Sequence, residues 1–239
     1  MYQVKRAIIM AAGRGSRMRE LTEDTPKPML KVNGVRMIDT AIKGLLENGI
    51  EEIIIVVGYL KERFQEVAKD WPQVKLIENP WHDKANNISS IYAARDYLEE
   101  AMILEGDQYF LSGAVLMRDF EHSEYNAVWS DEPGMPWVVD TDPNLKITDC
   151  HVENGGKGYV TYGVSRWTPE GGRMLKKWLE VEFEKNKNYD TFWDTIPLLS
   201  HPEDFDLYVR PTDGDSHVEL DSVEEISVWD ASYSTLVKA

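Results

Sequence analysis

Apolar residues follow two different rhythms along the chain. Up to about residue 119, compact aliphatic runs alternate with longer stretches in which apolar positions recur every three or four residues. Residues 4–11 predict a buried strand. Residues 35–48 predict a helix with Met37, Ile38, Ala41, Ile42, Leu45 and Leu46 on one face, stopped by Asn48-Gly49. Residues 52–58 contain Ile53-Ile-Ile-Val-Val57, a β-branched run without alternation that fits a parallel strand covered on both faces. A second helix is predicted over 60–71, a third strand over 74–78, a third helix over 88–100, and a fourth strand over 101–105 that ends in Gly106-Asp107. Strand alternating with helix predicts a parallel sheet with right-handed crossovers.

Beyond residue 119 the apolar runs shorten to 125–130, 136–140, 145–150 and 158–165, separated by turn residues. This half is expected to be antiparallel and to lid the first. A helix over 170–187 and a strand over 206–211 follow. The predicted fold is therefore α/β: a Rossmann-like, mostly parallel sheet flanked by helices, with a smaller antiparallel lid and substrate region. With no repeat, low-complexity tract or linker, residues 1–239 are expected to form one domain, with a core over 1–119 and an acceptor-binding and lid region over 120–239.

Composition narrows the functional classes. With 42 acidic against 26 basic residues and a formal charge of −16, the chain lacks the basic surface that binding nucleic acid requires. The single cysteine, Cys150, excludes an intrachain disulfide and a cysteine metal cluster, and points to a reducing cytoplasm. No segment approaches the roughly 18 apolar residues of a membrane span. The histidines, His82, His122, His151, His201 and His217, show no metal-ligand spacing and are assigned nothing.

Against this acidic background, Ala11-Ala-Gly-Arg-Gly-Ser-Arg17 places small residues and arginines directly behind the first strand. Such a turn brings backbone N–H groups close to a phosphate. It is neither a dinucleotide fingerprint, which needs a third glycine, nor a Walker loop, which ends in Gly-Lys-Ser/Thr. Lys27 lies between Pro26 and Pro28, which are expected to hold it in an extended chain over the phosphate. The alternative is a polar loop with surface arginines.

The string from Ala11 to Arg17, with Leu21-Thr22 and Pro26-Lys-Pro28, resembles the signature of nucleotidyltransferases that activate sugar and alcohol phosphates with a nucleoside triphosphate. Glu20 stands where that family often has proline. The resemblance implies a nucleotide-diphospho-sugar transferase-like fold and a triphosphate held by Ala11, Ala12, Gly13, Arg14, Gly15, Ser16 and Arg17. Arg17 and Lys27 would neutralise the departing pyrophosphate.

Nucleotidyl transfer to a phosphate needs positioning and charge cancellation, for which Mg2+ is the expected tool. Asp107 stands at the C-terminal end of a predicted strand, where ligands of parallel sheets gather. Asp221 follows the apolar stretch Val218-Glu-Leu220 and precedes a helix start, so an N-cap is its alternative reading. The resemblance implies that Asp107 and Asp221 are the metal ligands. Glu105 is expected to stand no closer than behind them.

The acceptor is addressed by aromatic residues beside carboxylates: Trp137, and Asp190, Phe192, Trp193 and Asp194, in a chain with eight tryptophans. Aromatic faces and negative charge hold a quaternary ammonium, which donates no N–H hydrogen bond. Core packing and capping remain the alternatives for each residue singly. Over its whole length the chain resembles bacterial CTP:phosphocholine cytidylyltransferases of the LicC type, through Gly58-Tyr-Leu-Lys-Glu62, Asn86-Asn87, Asp107-Gln-Tyr109, residues 132–137, residues 190–194 and Leu220-Asp-Ser-Val223. The resemblance implies that CTP and phosphocholine are joined to give CDP-choline and pyrophosphate, and that Trp137, Asp190, Phe192, Trp193 and Asp194 bind the acceptor. Phe192 departs from an expected tyrosine. Asn86 and Asn87 either read cytosine or cap the helix after them. The alternatives are a nucleotidyltransferase for 2-aminoethylphosphonate, phosphoethanolamine or a sugar 1-phosphate, and a non-catalytic nucleotide-binding regulatory protein. Oligomeric state is not legible.

Overall fold

The computed structural model describes residues 1–237, apart from the side chains of Arg19 and Glu20. The departure at Glu20 therefore lies outside the described residues.

The predicted parallel core is present. Strand Arg6–Ala11 lies between Glu52–Val57 and Ala101–Glu105, parallel to both, and Val74–Glu78 extends the sheet beyond Glu52–Val57. The interior strands are nearly all aliphatic because both faces are covered. On one side pack Ile38, Ile42 and Leu45 of the Met37–Glu47 helix, and on the other Ile88 and Ile91 of the Ile88–Ala93 helix. The first helix stops as expected. Asn48 Nδ2 donates to the Gly44 carbonyl at 2.8 Å, and Gly49 takes a left-handed φ of 73°.

Three helices are shorter or tighter than their apolar spacing suggests. Residues 60–71 open with Leu60 at a left-handed φ of 49°, then form a 3-10 turn, Lys61–Phe64, before the α-helix Gln65–Asp70. The helix expected over 88–100 ends at Ala93. Arg95 Nη1 donates to the Tyr92 carbonyl at 2.8 Å, competing for the group that a longer helix would offer to residue 96. The helix expected to reach residue 187 is α-helical over Pro169–Glu180 and widens to a π-turn over Val181–Lys185, where Glu182 turns inward and accepts from Asn186, at 3.2 Å, and pairs with His201, at 3.0 Å.

The second half does more than cover the first. Strand Gly158–Trp167 pairs antiparallel with Ser123–Ser130 along most of its length, and also with Ala101–Glu105 at its C-terminal part and Val138–Thr141 near its start, so the sheet continues into this half. Ile147–His151 adds antiparallel to Val138–Thr141, whereas Leu207–Pro211 adds parallel to Ser123–Ser130. Hydrogen bonding makes these strands one nine-stranded sheet. Loop 131–137 is pinned by the pair Gly134 N–H to Gly155 carbonyl, 2.7 Å, and Gly155 N–H to Met135 carbonyl, 3.1 Å. Among the described residues no helix is long and apolar enough to cross a membrane.

Candidate active site

A cleft of about 710 Å³ opens at the C-terminal ends of the parallel strands and runs under loop 131–137. Ligands of α/β sheets collect at this edge, where strands end and loops diverge. Ala11, Ala12, Gly13, Gly15, Ser16, Arg17, Lys27, Asp107 and Asp221 line one end, and Tyr125, Trp137, Phe192 and Asp194 the other. Arg14 is outside the lining, its guanidinium 5.7 Å from the Tyr59 ring centroid. Asp190 and Trp193 are outside it too.

At the first end, the turn after strand Arg6–Ala11 leads directly into a 3-10 helix, Ser16–Thr22. Gly15 has φ +63°, and a Cβ there would stand 2.8 Å from the Lys27 Cβ, so the backbone of this turn rests on the lysine stem. The prolines around Lys27 do not hold it extended on both sides. Pro26 is extended, but Lys27–Met29 closes a 3-10 turn, which buries the Lys27 side chain to 6% exposure. Its ammonium donates to Asp107 Oδ2 at 2.8 Å and to Asp221 Oδ1, while Arg17 pairs with Asp221 Oδ2. Burial works against the Lys27 charge, but Asp107 and Asp221 outweigh it and raise its pKa above the ordinary value. Burial likewise opposes the Asp221 charge, and Lys27 and Arg17 overcome it, so the Asp221 pKa is lowered.

Asp221 does not cap the following helix. Ser222 is the N-cap of Val223–Trp229, in a capping box with Glu225. Asp221 is thereby left to face the cleft. What aligns it with Asp107 is an antiparallel ladder of His217–Glu219 with Gln108–Phe110, in which Glu219 lies opposite Gln108. The ladder sets the string Glu219-Leu-Asp221 beside Glu105-Gly-Asp107. Both carry Glu-x-Asp, a spacing that alternation places on one side. The spacing is a signal in the sequence that sets Glu105 beside Asp107 and, by the same rule, Glu219 beside Asp221, so Glu219 joins the site although the sequence reading gives it no role.

Ligand oxygens of Glu105, Asp107 and Glu219 lie within 4.8 Å of one another, and Asp107 Oδ1 is buried without a hydrogen-bond partner. Burial, followed by Asp107, Asp194 and Glu219, raises the Glu105 pKa well above the usual range. Glu219 is open to the cleft mouth yet crowded. Desolvation, then Asp107 and Asp221, pushes its carboxyl up to about 7. An all-oxygen set with an unpartnered buried oxygen suits a hard divalent cation.

At the other end, Trp137 and Phe192 form a corner, ring centroids 6.0 Å apart and planes at 86°. Trp137 holds a left-handed φ of 54°, a conformation costing a bulky residue on the order of 1 kcal/mol. Asp194 lies on the cleft floor and accepts from Tyr125 Oη at 2.8 Å, which leaves Oδ2 for another partner. Burial pushes its pKa up to about 7, with the Tyr125 hydrogen bond opposing. Tyr125 was not anticipated, since a tyrosine within an apolar strand reads as core. Trp193, at 1% exposure, points into the core, stacked on Tyr125 and edge-on to Trp167. Asp190 is exposed.

Asn86 and Asn87 line the middle of the cleft, and neither side chain caps the Ile88–Ala93 helix. Asn86 Oδ1 accepts from the Asn87 N–H at 2.7 Å, and Asn87 Oδ1 from the Trp193 N–H at 2.9 Å. Behind them, buried Asn79 donates to Ser89 Oγ at 2.8 Å and Ser90 Oγ at 3.2 Å. His82 also lines this wall.

Residues 7–161 match the family model of the MobA-like NTP transferase domain. Over 236 residues the chain is 36% identical to the 2-aminoethylphosphonate cytidylyltransferase of Lancefieldella rimae, covering 98% of this chain and 95% of that one. It is 31% identical over 220 residues to the choline-phosphate cytidylyltransferase of Streptococcus pneumoniae, covering 92% and 94%. Among solved structures, the CTP:phosphocholine cytidylyltransferase LicC of Streptococcus pneumoniae superposes with a TM-score of 0.86 at 30% identity, over 97% of this chain and 99% of that one.

Proposed function

We propose, from the premise that this chain belongs to the MobA-like NTP transferase domain family and is a cytidylyltransferase, that it joins CTP to phosphocholine, giving CDP-choline and pyrophosphate. The observation that carries this reading is the two-ended chemistry of the cleft. Cationic Lys27 and Arg17 beside carboxylates stand at one end, and an aromatic corner with the Asp194 carboxylate at the other. A small acceptor with a phosphate at one end and a fixed positive charge at the other matches that polarity.

The turn from Ala11 to Arg17 receives the triphosphate against backbone N–H groups and the Lys27 ammonium. A phosphate oxygen of the acceptor attacks the α-phosphorus of CTP. The bond from that phosphorus to the β-phosphate bridging oxygen breaks, and pyrophosphate leaves with its electron pair. The nucleophile is already an anion, so no side chain needs to remove a proton. Lys27 and Arg17 offset the charge that grows on the leaving group. Asp107, through its unpartnered Oδ1, would hold Mg2+ with Glu105 and Glu219 adjacent, and Asp221 would join it in exchange for its pairing with Lys27 or Arg17. When bound, this ion supplies charge neutralisation along the phosphates. Trp137, Phe192 and Asp194 orient the acceptor so that its phosphate faces the nucleotide, which Asn86 and the neighbouring serines meet in the middle of the cleft.

A second reading keeps the chemistry and changes the acceptor to 2-aminoethylphosphonate. Withdrawal of Trp193 into the core leaves fewer rings than a full aromatic cage, and the free Asp194 Oδ2 suits an N–H donor. Pyrophosphate release with Mg2+ and CTP, offered phosphocholine, 2-aminoethylphosphonate, phosphoethanolamine and glucose 1-phosphate in parallel, decides. A kcat/KM at least about tenfold higher for phosphocholine, roughly 1.4 kcal/mol, upholds the first reading. Preference for the phosphonate transfers the site to the second.

A further inference from the structure

Asn86 and Asn87 are joined to the segment 189–193, more than a hundred residues away in sequence, by three hydrogen bonds. The Asn86 N–H donates to the Tyr189 carbonyl at 2.7 Å, Asn86 Nδ2 to the Asp190 carbonyl at 3.3 Å, and the Trp193 N–H to Asn87 Oδ1 at 2.9 Å. The Asn86 bond to Tyr189 is made by backbone and survives side-chain substitution. Only Asn87 contributes a short side-chain bond.

We infer that Asn87 is a positioning residue for the acceptor: by accepting from the Trp193 N–H it fixes the chain between Phe192 and Asp194, whose side chains face the cleft while that of Trp193 faces the core. The inference rests on the acceptor site proposed above and changes the expected role of Asn87 from a reader of the base. Alternation of Phe192 and Asp194 around a buried Trp193 is possible only if the intervening backbone keeps its twist. The indole anchors that twist from the core side, between Tyr125 and Trp167, but its Nε1 finds no hydrogen-bond partner, so the polar tethers of Trp193 are its carbonyl, which accepts from the Ile196 N–H at 3.1 Å, and its N–H, held by Asn87 from across the cleft wall. Asn87 is in turn set by its place at the start of the Ile88–Ala93 helix, whose Ile88 and Ile91 are fully buried. Of the three hydrogen bonds that latch this wall of the cleft to the segment 189–193, the Asn87 amide oxygen makes the one that reaches Trp193.

The test compares Asn87→Ala with Asn87→Asp. Aspartate keeps an oxygen that accepts from the Trp193 N–H but lacks the amide donor that a cytosine contact would use. Two readouts are taken: amide hydrogen exchange of peptides covering 189–194, which does not depend on the acceptor's identity, and KM for CTP and for whichever acceptor the wild-type enzyme uses. The alanine variant is expected to exchange faster there and to raise the acceptor KM by about tenfold, the order of one lost hydrogen bond, with the CTP KM within twofold. The aspartate variant is expected to restore both. A raised CTP KM that aspartate fails to rescue, unchanged exchange in the alanine variant, or faster exchange without a change in acceptor KM each overturns the role. If the wild-type enzyme uses none of the four acceptors, the proposed acceptor reading fails, and the exchange data still report on the latch itself.

Discussion

At the end of the cleft proposed for the triphosphate, Lys27, Arg17, Asp107 and Asp221 meet through charge, carried on two 3-10 turns and two strand ends, whereas at the proposed acceptor end Tyr125, Trp137, Phe192 and Asp194 meet through packing of three separate segments. Charges at the first end form a shared network: the buried Lys27 ammonium pairs with both Asp107 and Asp221, and Asp221 with both Lys27 and Arg17, so removing one carboxylate still leaves Lys27 the other. At the second end the residues are spread between core and surface: Tyr125 is at 1% exposure and Phe192 at 46%, with Trp193 packed behind them at 1%. A phosphate site tolerates little variation because the triphosphate is common to the whole reaction class. An acceptor site assembled from loops can be retuned without disturbing the sheet.

The contrast is broken most severely at the charged end. Asp107→Ala is expected to reduce Mg2+-dependent pyrophosphate release by at least about a thousandfold while circular dichroism and thermal unfolding remain near wild type, since it removes a group whose oxygen is unsatisfied in the folded chain. Retained turnover would remove Asp107 from the reaction. At the packed end, neighbouring aromatics are expected to separate into structural and binding roles. Trp193→Ala should destabilise the fold by about 3–5 kcal/mol, as for a large buried side chain, measured by urea unfolding. Phe192→Ala should leave stability within about 1 kcal/mol yet raise the acceptor KM several-fold. An unfolding midpoint lowered equally in both would erase the distinction.

A further effect concerns protonation. Burial pushes Asp194 up to about 7, so its carboxylate is charged above that pH and neutral below it. A cationic acceptor binds the charged form. The acceptor KM should therefore be lowest above pH 7 and rise by up to about tenfold per pH unit below it, a limb that Asp194→Asn should flatten. The acceptor's own phosphate also titrates near pH 6, and the asparagine variant isolates the protein's part. A limb that survives in that variant belongs to the substrate.

The parallel core was legible because its strands carry unbroken β-branched runs, as in Ile53-Ile-Ile-Val-Val57, and because its first helix has a clean apolar face with a stop at Asn48-Gly49. Helix ends were less so. The 88–100 prediction overran because the competing bond from Arg95 to the Tyr92 carbonyl is a side-chain choice that apolar periodicity does not register. Asp221 was ambiguous from local pattern alone: either it or Ser222 is a good cap, and the ladder of His217–Glu219 with Gln108–Phe110 decided between them.

From its residues alone, this chain determined the class of sheet, the glycine-rich turn behind the first strand and Asp107 at a strand end, because these depend on local periodicity and on residue types whose chemistry travels with them. Tertiary structure alone decided which aromatic faces the cleft. Phe192, Trp193 and Asp194 are consecutive, so their composition is the same wherever the backbone turns, and the direction of each side chain is set by Tyr125, Trp167 and Asn87, which meet that segment only after the chain has folded.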